Sequence, residues 1–268
     1  MNEALVTNIL SDVCANKRYQ FIEKDLIRNI IISELNKGRS KKEIVKQVRA
    51  KLHQIGGAYQ EFSIPYQDWS DELRQLQSDL KSPELNHFCQ SCMSFHRSTK
   101  ERLPFLPSFY SKLFSEIGPI HSIMDLACGL NPLTLPWMNL PNNLEYYACD
   151  IYSDMIGFLN TFFAHTNTTG TAFQCDLTTS IPDQQVDVVF AFKTIPCLEQ
   201  VDKNIGIRLL SEINAPNIFI SFPVKSLGGH EKGMRSNYRQ HFFDLIQGEN
   251  WIVKEYLFNT ELVFLIKK

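Results

Sequence analysis

The sequence predicts an α/β protein with a mostly parallel seven-stranded sheet, preceded by an all-helical segment. Three observations predict it. Up to about residue 95 the apolar residues recur at helical spacing. Beyond about residue 118, short apolar runs alternate with turn signals and helical stretches, the βαβ pattern of a parallel sheet. The last two runs, 252–258 and 261–266, are joined only by Asn259-Thr260, which predicts an antiparallel pair at the sheet edge.

The elements follow in order. Ile27, Ile30, Ile31 and Leu35 share one face of a helix that Asn36-Lys37-Gly38 stops. Ser40 with Glu43 three residues on is a capping box that opens a helix through Leu52, and Gly56-Gly57 breaks it. Ser70 and Ser82-Pro83 are expected helix starts, since proline is tolerated in the first turn. The parallel strands are expected at 122–126, 145–149, 172–175, 186–192 and 217–222, with helices at 132–138, 153–165, 198–213 and 236–247.

A composition with 44% hydrophobic and 21% charged residues excludes wholesale disorder and fibrous repeats. The absence of a long apolar run argues against a membrane span, and the N-terminal sequence does not read as a signal peptide. Seven cysteines, an odd number, fit reduced thiols in a cytoplasmic protein; zinc at Cys89, Cys92 and neighbouring histidines is disfavoured because no second C-x-x-C follows. A net charge of -2 by itself speaks against a nucleic-acid binder. The distribution corrects that reading. Residues 1–60 carry eleven bases against six acids, whereas residues 121–200 carry one base, Lys193, against eight acids.

Three of those acids, Asp125, Asp150 and Asp176, fall at the ends of the first three predicted strands. Ligands of open α/β sheets bind beyond those strand ends, where a carboxylate can accept from ribose hydroxyls or from an adenine amino group. One such acid alone reads as a strand-end cap; three in register favour a nucleoside site. The segment Ala127-Cys128-Gly129-Leu130-Asn131-Pro132 lacks the glycine pattern that cradles a pyrophosphate, which favours S-adenosyl-L-methionine over a dinucleotide. Five parallel strands closed by an antiparallel pair resemble the Rossmann-like fold of class I methyltransferases.

Three stretches carry a closer resemblance: His96-Arg97-Ser98-Thr99-Lys100-Glu101-Arg102, Asp125 through Leu133, and Ser221 through Met234. With Lys51-Leu52-His53-Gln54-Ile55, Gly57-Ala58-Tyr59 and Thr260-Glu261-Leu262, they are similar to the aminoglycoside-resistance methyltransferases that act on N7 of guanine 1405 in 16S rRNA. The resemblance covers nearly the whole chain and departs from some members at Arg97, where a small residue is common. It implies a helical rRNA-binding domain over 1–95 and a methyltransferase domain over 96–268. It places Arg102 on the carboxylate of S-adenosyl-L-methionine, with His96, Ser98 and Thr99 in the same wall and Tyr59 reaching over from the helices. Ala127 and Gly129 would line the methionine, Asp150 the ribose, and Asp176 with Leu177 the adenine. Phe192 and Lys193 would border the meeting point of cofactor and base.

Guanine N7 has a free lone pair and no proton, so no general base is expected and no metal is implied. Rate would come from proximity and orientation. Lys17, Arg18, Arg49 and Lys51 of the basic front, with Lys193, Lys225, Lys232 and Arg235, are the candidate rRNA contacts; solvated helix faces are the plain alternative for each. The expected partner is the 30S subunit, met by a cytoplasmic monomer. Two other functions stay open at this point: methylation of another rRNA or tRNA purine, and rRNA binding with a vestigial cofactor pocket.

Overall fold

A computed structural model of the chain describes residues 3–57, 64–141, 143–225 and 233–268. Tyr59 and Lys232 lie outside the described residues. The helical front comprises α1 (Glu3–Cys14), α2 (Lys24–Leu35), α3 (Lys41–Leu52), α4 (Tyr66–Leu73) and α5 (Pro83–Met93). Two short helices, α6 (Arg97–Lys100) and α7 (Leu106–Phe114), lead into the sheet.

The capping box at α3 forms as expected. Glu43 Oε2 accepts from the Ser40 backbone N–H at 2.9 Å, and the Ser40 hydroxyl faces the backbone of Glu43 in return. Ser82 caps α5 by accepting from Leu85 N at 3.3 Å. Two expectations need correction. Ser70 does not open a helix: it sits inside α4, and its buried hydroxyl donates to Tyr66 O. Gly56-Gly57 does not break the chain out of helix either. The segment His53–Gly57 continues α3 as a turn of π-helix, a form found mostly at functional sites. Gly56 is needed there because a Cβ would stand 2.6 Å from the Tyr152 hydroxyl.

The seven strands are β1 (Ser122–Leu126), β2 (Glu145–Asp150), β3 (Thr169–Gln174), β4 (Val188–Phe192), β5 (Asn217–Pro223), β6 (Ile252–Leu257) and β7 (Glu261–Lys267). Their order is β3-β2-β1-β4-β5-β7-β6, parallel through β5 and antiparallel for the last two pairs. The order reverses between β1 and β4, which opens the crevice where such sheets bind ligands. The intervening helices are α8 (Leu135–Met138), α9 (Ser153–His165), α10 (Ile195–Leu198), α11 (Ile205–Glu212) and α12 (Met234–Leu245). The expected helix at 132–138 is a 3-10 turn, Asn131–Thr134, followed by one turn of α-helix. The expected helix at 198–213 forms only as α11 from Ile205; α10 ends at Leu198, and residues 199–204 are a turn between the two.

One apolar cluster unites Val6, Ile27 and Leu52 of the front with Phe109 of α7 and Phe190 of β4. A second fills the opposite face of the sheet, around Ile218, Phe242 and Phe264. A bridge between Ile22 and Tyr152 ties the front to the end of β2. Among the described residues, no helix is long and apolar enough to cross a membrane.

Candidate functional site

The pocket lies beyond the carboxyl ends of β1, β2 and β4, as the topology requires. The loop after β1 turns sharply: Ala127 and Gly129 both take positive φ, +49° and +51°. Its backbone N–H groups are spent within the protein. Cys128 N donates to Cys149 O (2.9 Å), Gly129 N to Asp150 Oδ2 (2.9 Å) and Asn131 N to Cys128 O (3.0 Å). Those amides are therefore committed elsewhere and cannot cradle a pyrophosphate. Glycine is required at 129 on two counts, since a Cβ there would also stand 2.6 Å from the His96 ring.

The acids sit where the sequence places them, and each is nearly buried. Asp125 Oδ2 accepts from Asn131 Nδ2 (2.9 Å) and from the Tyr146 hydroxyl (2.8 Å). Burial nevertheless raises its pKa to about 7. Asp150 accepts from Gly129 N and Ile151 N, and burial raises it to about 6. Asp176 Oδ1 accepts from the backbone and hydroxyl of Thr178, at 2.9 and 2.6 Å. Its Oδ2 is buried with no hydrogen-bond partner in the protein. A buried carboxylate oxygen left open in this way calls for a donor from a ligand.

Arg102 is 1% exposed and lies between the Phe109 and Phe192 rings, 4.7 and 4.6 Å from their centroids. Glu261 at the start of β7 grips it with both oxygens, Nε to Oε2 at 3.2 Å and Nη2 to Oε1 at 2.8 Å. Burial opposes its charge, and Glu261, with Tyr110 and Asp125, more than offsets that, so the guanidinium stays ionised. Burial likewise opposes the Glu261 charge, and Arg102 and Lys193 hold its pKa below the ordinary value. The Ser221 hydroxyl also donates to Glu261. Sequence reasoning quoted Glu261 within a motif but gave it no role. Its partner is 159 residues away, and only the arrival of β7 beside β5 brings the two together.

The pocket lining gathers His96, Ser98, Arg102, Ala127, Asp150, Asp176, Leu177, Phe192 and Lys193. Burial, with the charges of Lys193 and Arg102, lowers the His96 pKa to about 4, so the imidazole is neutral at physiological pH. Two expected wall residues stand behind the lining. Thr99 turns its hydroxyl back to Met93 O and His96 O, at 2.8 and 2.9 Å, and Gly129 backs onto His96. Leu26, Ile55 and Gly56 of the helical front also line the pocket, a contribution hidden from a reading that ended the helix at Gly56.

The candidate rRNA contacts divide by environment. Lys17, Arg18, Lys225 and Arg235 are exposed. Arg49 lines an open groove with Asp12, Lys41, Lys42 and Lys46, and donates to Asp12 O at 2.6 Å. Lys51 is tied at 3.1 Å to the fully buried Glu34, which also pairs with Lys37 and Arg39. Lys193 is no surface group: it is 3% exposed, at φ +57°, with Nζ 2.7 Å from Glu101 Oε2.

The fit of this pocket to a phosphate-free nucleoside bearing an amino-acid arm agrees with the relatives of the chain. The family model described as "Ribosomal RNA methyltransferase (FmrO)" matches residues 15–265. A 16S rRNA (guanine(1405)-N(7))-methyltransferase of Micromonospora echinospora is 32% identical, across 99% of this chain and 98% of the relative. One of the same name from Serratia marcescens is 31% identical, across 98% of each. Among solved structures, the 16S rRNA methyltransferase RmtF in complex with S-adenosyl-L-homocysteine superposes with a TM-score of 0.84 at 27% identity, covering 100% of this chain and 99% of that one. RmtB gives 0.80 at 27% identity, covering 98% of each. A match over almost the full length, with the strand-end acids, the buried arginine and the seven-stranded order all in place, means that the chain belongs to the ribosomal RNA methyltransferase family.

Proposed function

We propose that the chain transfers a methyl group from S-adenosyl-L-methionine to N7 of guanine 1405 in 16S rRNA of the assembled 30S subunit, and so confers aminoglycoside resistance. The observation that carries this reading is one pocket in which three strand-end carboxylates and a buried arginine converge, in a chain similar end to end to enzymes named for that reaction.

The cofactor, when bound, supplies a methyl group on a positively charged sulfur. The chain's own residues bind and orient. Arg102 meets the α-carboxylate, held flat by Glu261 and two aromatic faces, with His96 and Ser98 beside it. Ala127 borders the methionine, and Gly129 permits the close turn behind it. Asp150 accepts from the ribose, and the open Oδ2 of Asp176 accepts from the adenine amino group, with Leu177 against the ring. Phe192 and Lys193 border the place where the base arrives. N7 attacks through its own lone pair, so no side chain need remove a proton. Positioning then supplies on the order of 7–11 kcal/mol of barrier reduction.

Residues 1–95 dock the rRNA and residues 96–268 bind the cofactor. The groove of Lys41, Lys42, Lys46 and Arg49 supports the first assignment, since clustered exposed cations fit a phosphate backbone. A base stacked in folded rRNA must be extruded to reach the pocket. The enzyme acts as a cytoplasmic monomer.

Methyl transfer from labelled cofactor onto 30S particles, 50S particles and naked 16S rRNA tests the reading, with the modified nucleotide mapped by cleavage at N7-methylguanine. Label on 30S at guanine 1405 is expected. Label confined to 50S particles, or mapped to another nucleotide, refutes it. Cofactor binding without transfer to any substrate identifies a binding module instead.

A further inference from the structure

Asn131 opens the 3-10 turn after the β1 loop and is 3% exposed. Every polar atom of its side chain is used. Oδ1 accepts from Arg102 Nη1 at 2.6 Å and from the Tyr110 hydroxyl at 2.8 Å. Nδ2 donates to Asp125 Oδ2 at 2.9 Å. Only one orientation of the amide is tolerated. Turned over, it would set an NH2 group against a guanidinium and a carbonyl oxygen against a carboxylate. Arg102 and Asp125 fix that orientation between them, and the Tyr110 hydroxyl, 2.7 Å from Thr134 Oγ1, packs against the amide oxygen. Asn131 is thus the neutral spacer between a buried cation and a buried anion that both line the pocket.

We propose that Asn131 is a positioning residue for the amino-acid end of the cofactor: its locked amide sets the Arg102 guanidinium and the Asp125 carboxylate side by side, as one seat for an α-carboxylate and an α-ammonium. The proposal rests on the reading that Arg102 meets the cofactor. The spacing has a physical reason. In direct contact, Asp125 would take the Nη1 edge of Arg102 that Glu261 leaves open, so that neither the guanidinium edge nor the carboxylate would be left for a zwitterion. Glu261 already takes the Nε and Nη2 edge of Arg102, and the amide occupies Nη1 without a charge of its own. Asp125 therefore keeps neutral donors only, Asn131 and Tyr146. The charged or titratable groups that bear on it are Arg102, Tyr110, Cys128, and Tyr146 with Asp150 on β2, from four separate segments.

Two measurements test this. The first is a double-mutant cycle of Arg102→Ala and Asn131→Leu, read by calorimetric titration of S-adenosyl-L-homocysteine. Asn131→Leu should weaken affinity roughly tenfold to a hundredfold, the range for a hydrogen bond to a charged group. In the Arg102→Ala background it should cost little more, because the arginine through which it acts is gone. The second is the pH dependence of thermal unfolding of the ligand-free protein, for Asn131→Leu and for the isosteric Asn131→Asp. Each removes a donor to Asp125 and raises a pKa that already stands at about 7. Unfolding temperature should then fall more steeply with rising pH than in the parent, whereas lost packing alone would lower it evenly at all pH values.

Additive affinity losses, an Asn131→Leu protein that binds within about twofold of the parent, or an unaltered pH slope in the variants overturns the proposal. Asn131→Leu unaffected while Arg102→Ala loses affinity refutes this proposal alone. Full affinity in Arg102→Ala removes the underlying reading with it.

Discussion

Replacing Glu261 by glutamine keeps the shape of a fully buried side chain and removes the charge that balances Arg102. The guanidinium is equally buried, 1% exposed, and its Nε and Nη2 edge is committed to the two oxygens of Glu261. Removing one partner of a buried ion pair leaves the other uncompensated, at a cost of about 3–5 kcal/mol. The Gln amide also points its NH2 group at an Arg102 N–H in either orientation, because both Glu261 oxygens accept from Arg102, and in one orientation at the Ser221 hydroxyl as well. For a domain of this size about 2–4 °C is lost per kcal/mol, so the midpoint of thermal unfolding should fall by about 6–20 °C. Arg102→Met should cost a similar amount by stranding Glu261. The double variant Arg102→Met/Glu261→Leu removes both charges and should recover most of the stability, because apolar replacement of a buried pair is often neutral. It should still fail to bind cofactor. Thermal unfolding and calorimetric titration on the four proteins read the two effects separately. A Glu261→Gln protein within about 1 kcal/mol of the parent, or a double variant no more stable than either single, would refute the assignment of Glu261 as the counter-charge.

Four further outcomes follow from the same geometry. Asp176→Ala removes a buried carboxylate oxygen that has no hydrogen-bond partner among the described residues, and calorimetry should show cofactor affinity reduced roughly tenfold or more, beyond the stability lost with its two hydrogen bonds from Thr178. Gly129→Ala places a Cβ against the His96 ring at φ +51°; thermal unfolding and cofactor titration should both show a loss, and an unchanged protein would contradict the loop geometry. Asp125 and Asp150 have folded pKa values near 7 and 6, above their ordinary 3.8, so the folded protein binds more protons than the unfolded chain between about pH 4 and pH 7. Their contribution to stability is present below that window and is lost as pH rises through it, while affinity for the cationic cofactor should rise; Asp125→Asn should flatten both slopes. Glu34→Ala strands Lys37, Arg39 and Lys51 around a buried position, and should lower the unfolding midpoint while leaving cofactor affinity unchanged.

What the sequence made legible was periodic or local. The continuous apolar runs at 186–192 and 217–222 mark two buried parallel strands, and an acid at the end of each of the first three strands marks the crevice, because both signals lie within a few neighbouring residues. Ser40 with Glu43 and Ser82 with Pro83 identify helix starts for the same reason. Ser70 misled because its side chain satisfies itself on the preceding turn, donating to Tyr66 O instead of capping. Gly56 misled because glycine is read as a breaker, whereas here the close approach of Tyr152 selects it. Arg102 was placed at the site only by the family resemblance, and its counter-charge was not legible at all. Pairing with Glu261 depends on how β7 enters the sheet, which no local pattern encodes.

The near-neutral total charge follows from this arrangement. Three acids in the middle of the chain, Asp125, Asp150 and Asp176, are drawn inward to strand ends, where burial raises the pKa of the first two and disfavours their charged form until a cation is beside them. Bases at the front stay outside on α3, along a groove wide enough to meet a phosphate backbone. The two sets remain mechanically linked. The outer face of α3 carries Lys41, Lys42 and Lys46, and the same helix runs on as the π-turn that sets Ile55 and Gly56 into the pocket wall. Its inner face, through Ile44, Val48 and Leu52, belongs to the apolar cluster that reaches Phe190 in the sheet. The basic face and the pocket wall are therefore carried by one continuous helical segment. Any difference in RNA affinity between the cofactor-bound and cofactor-free protein must appear, by linkage, as an equal difference in cofactor affinity with and without RNA.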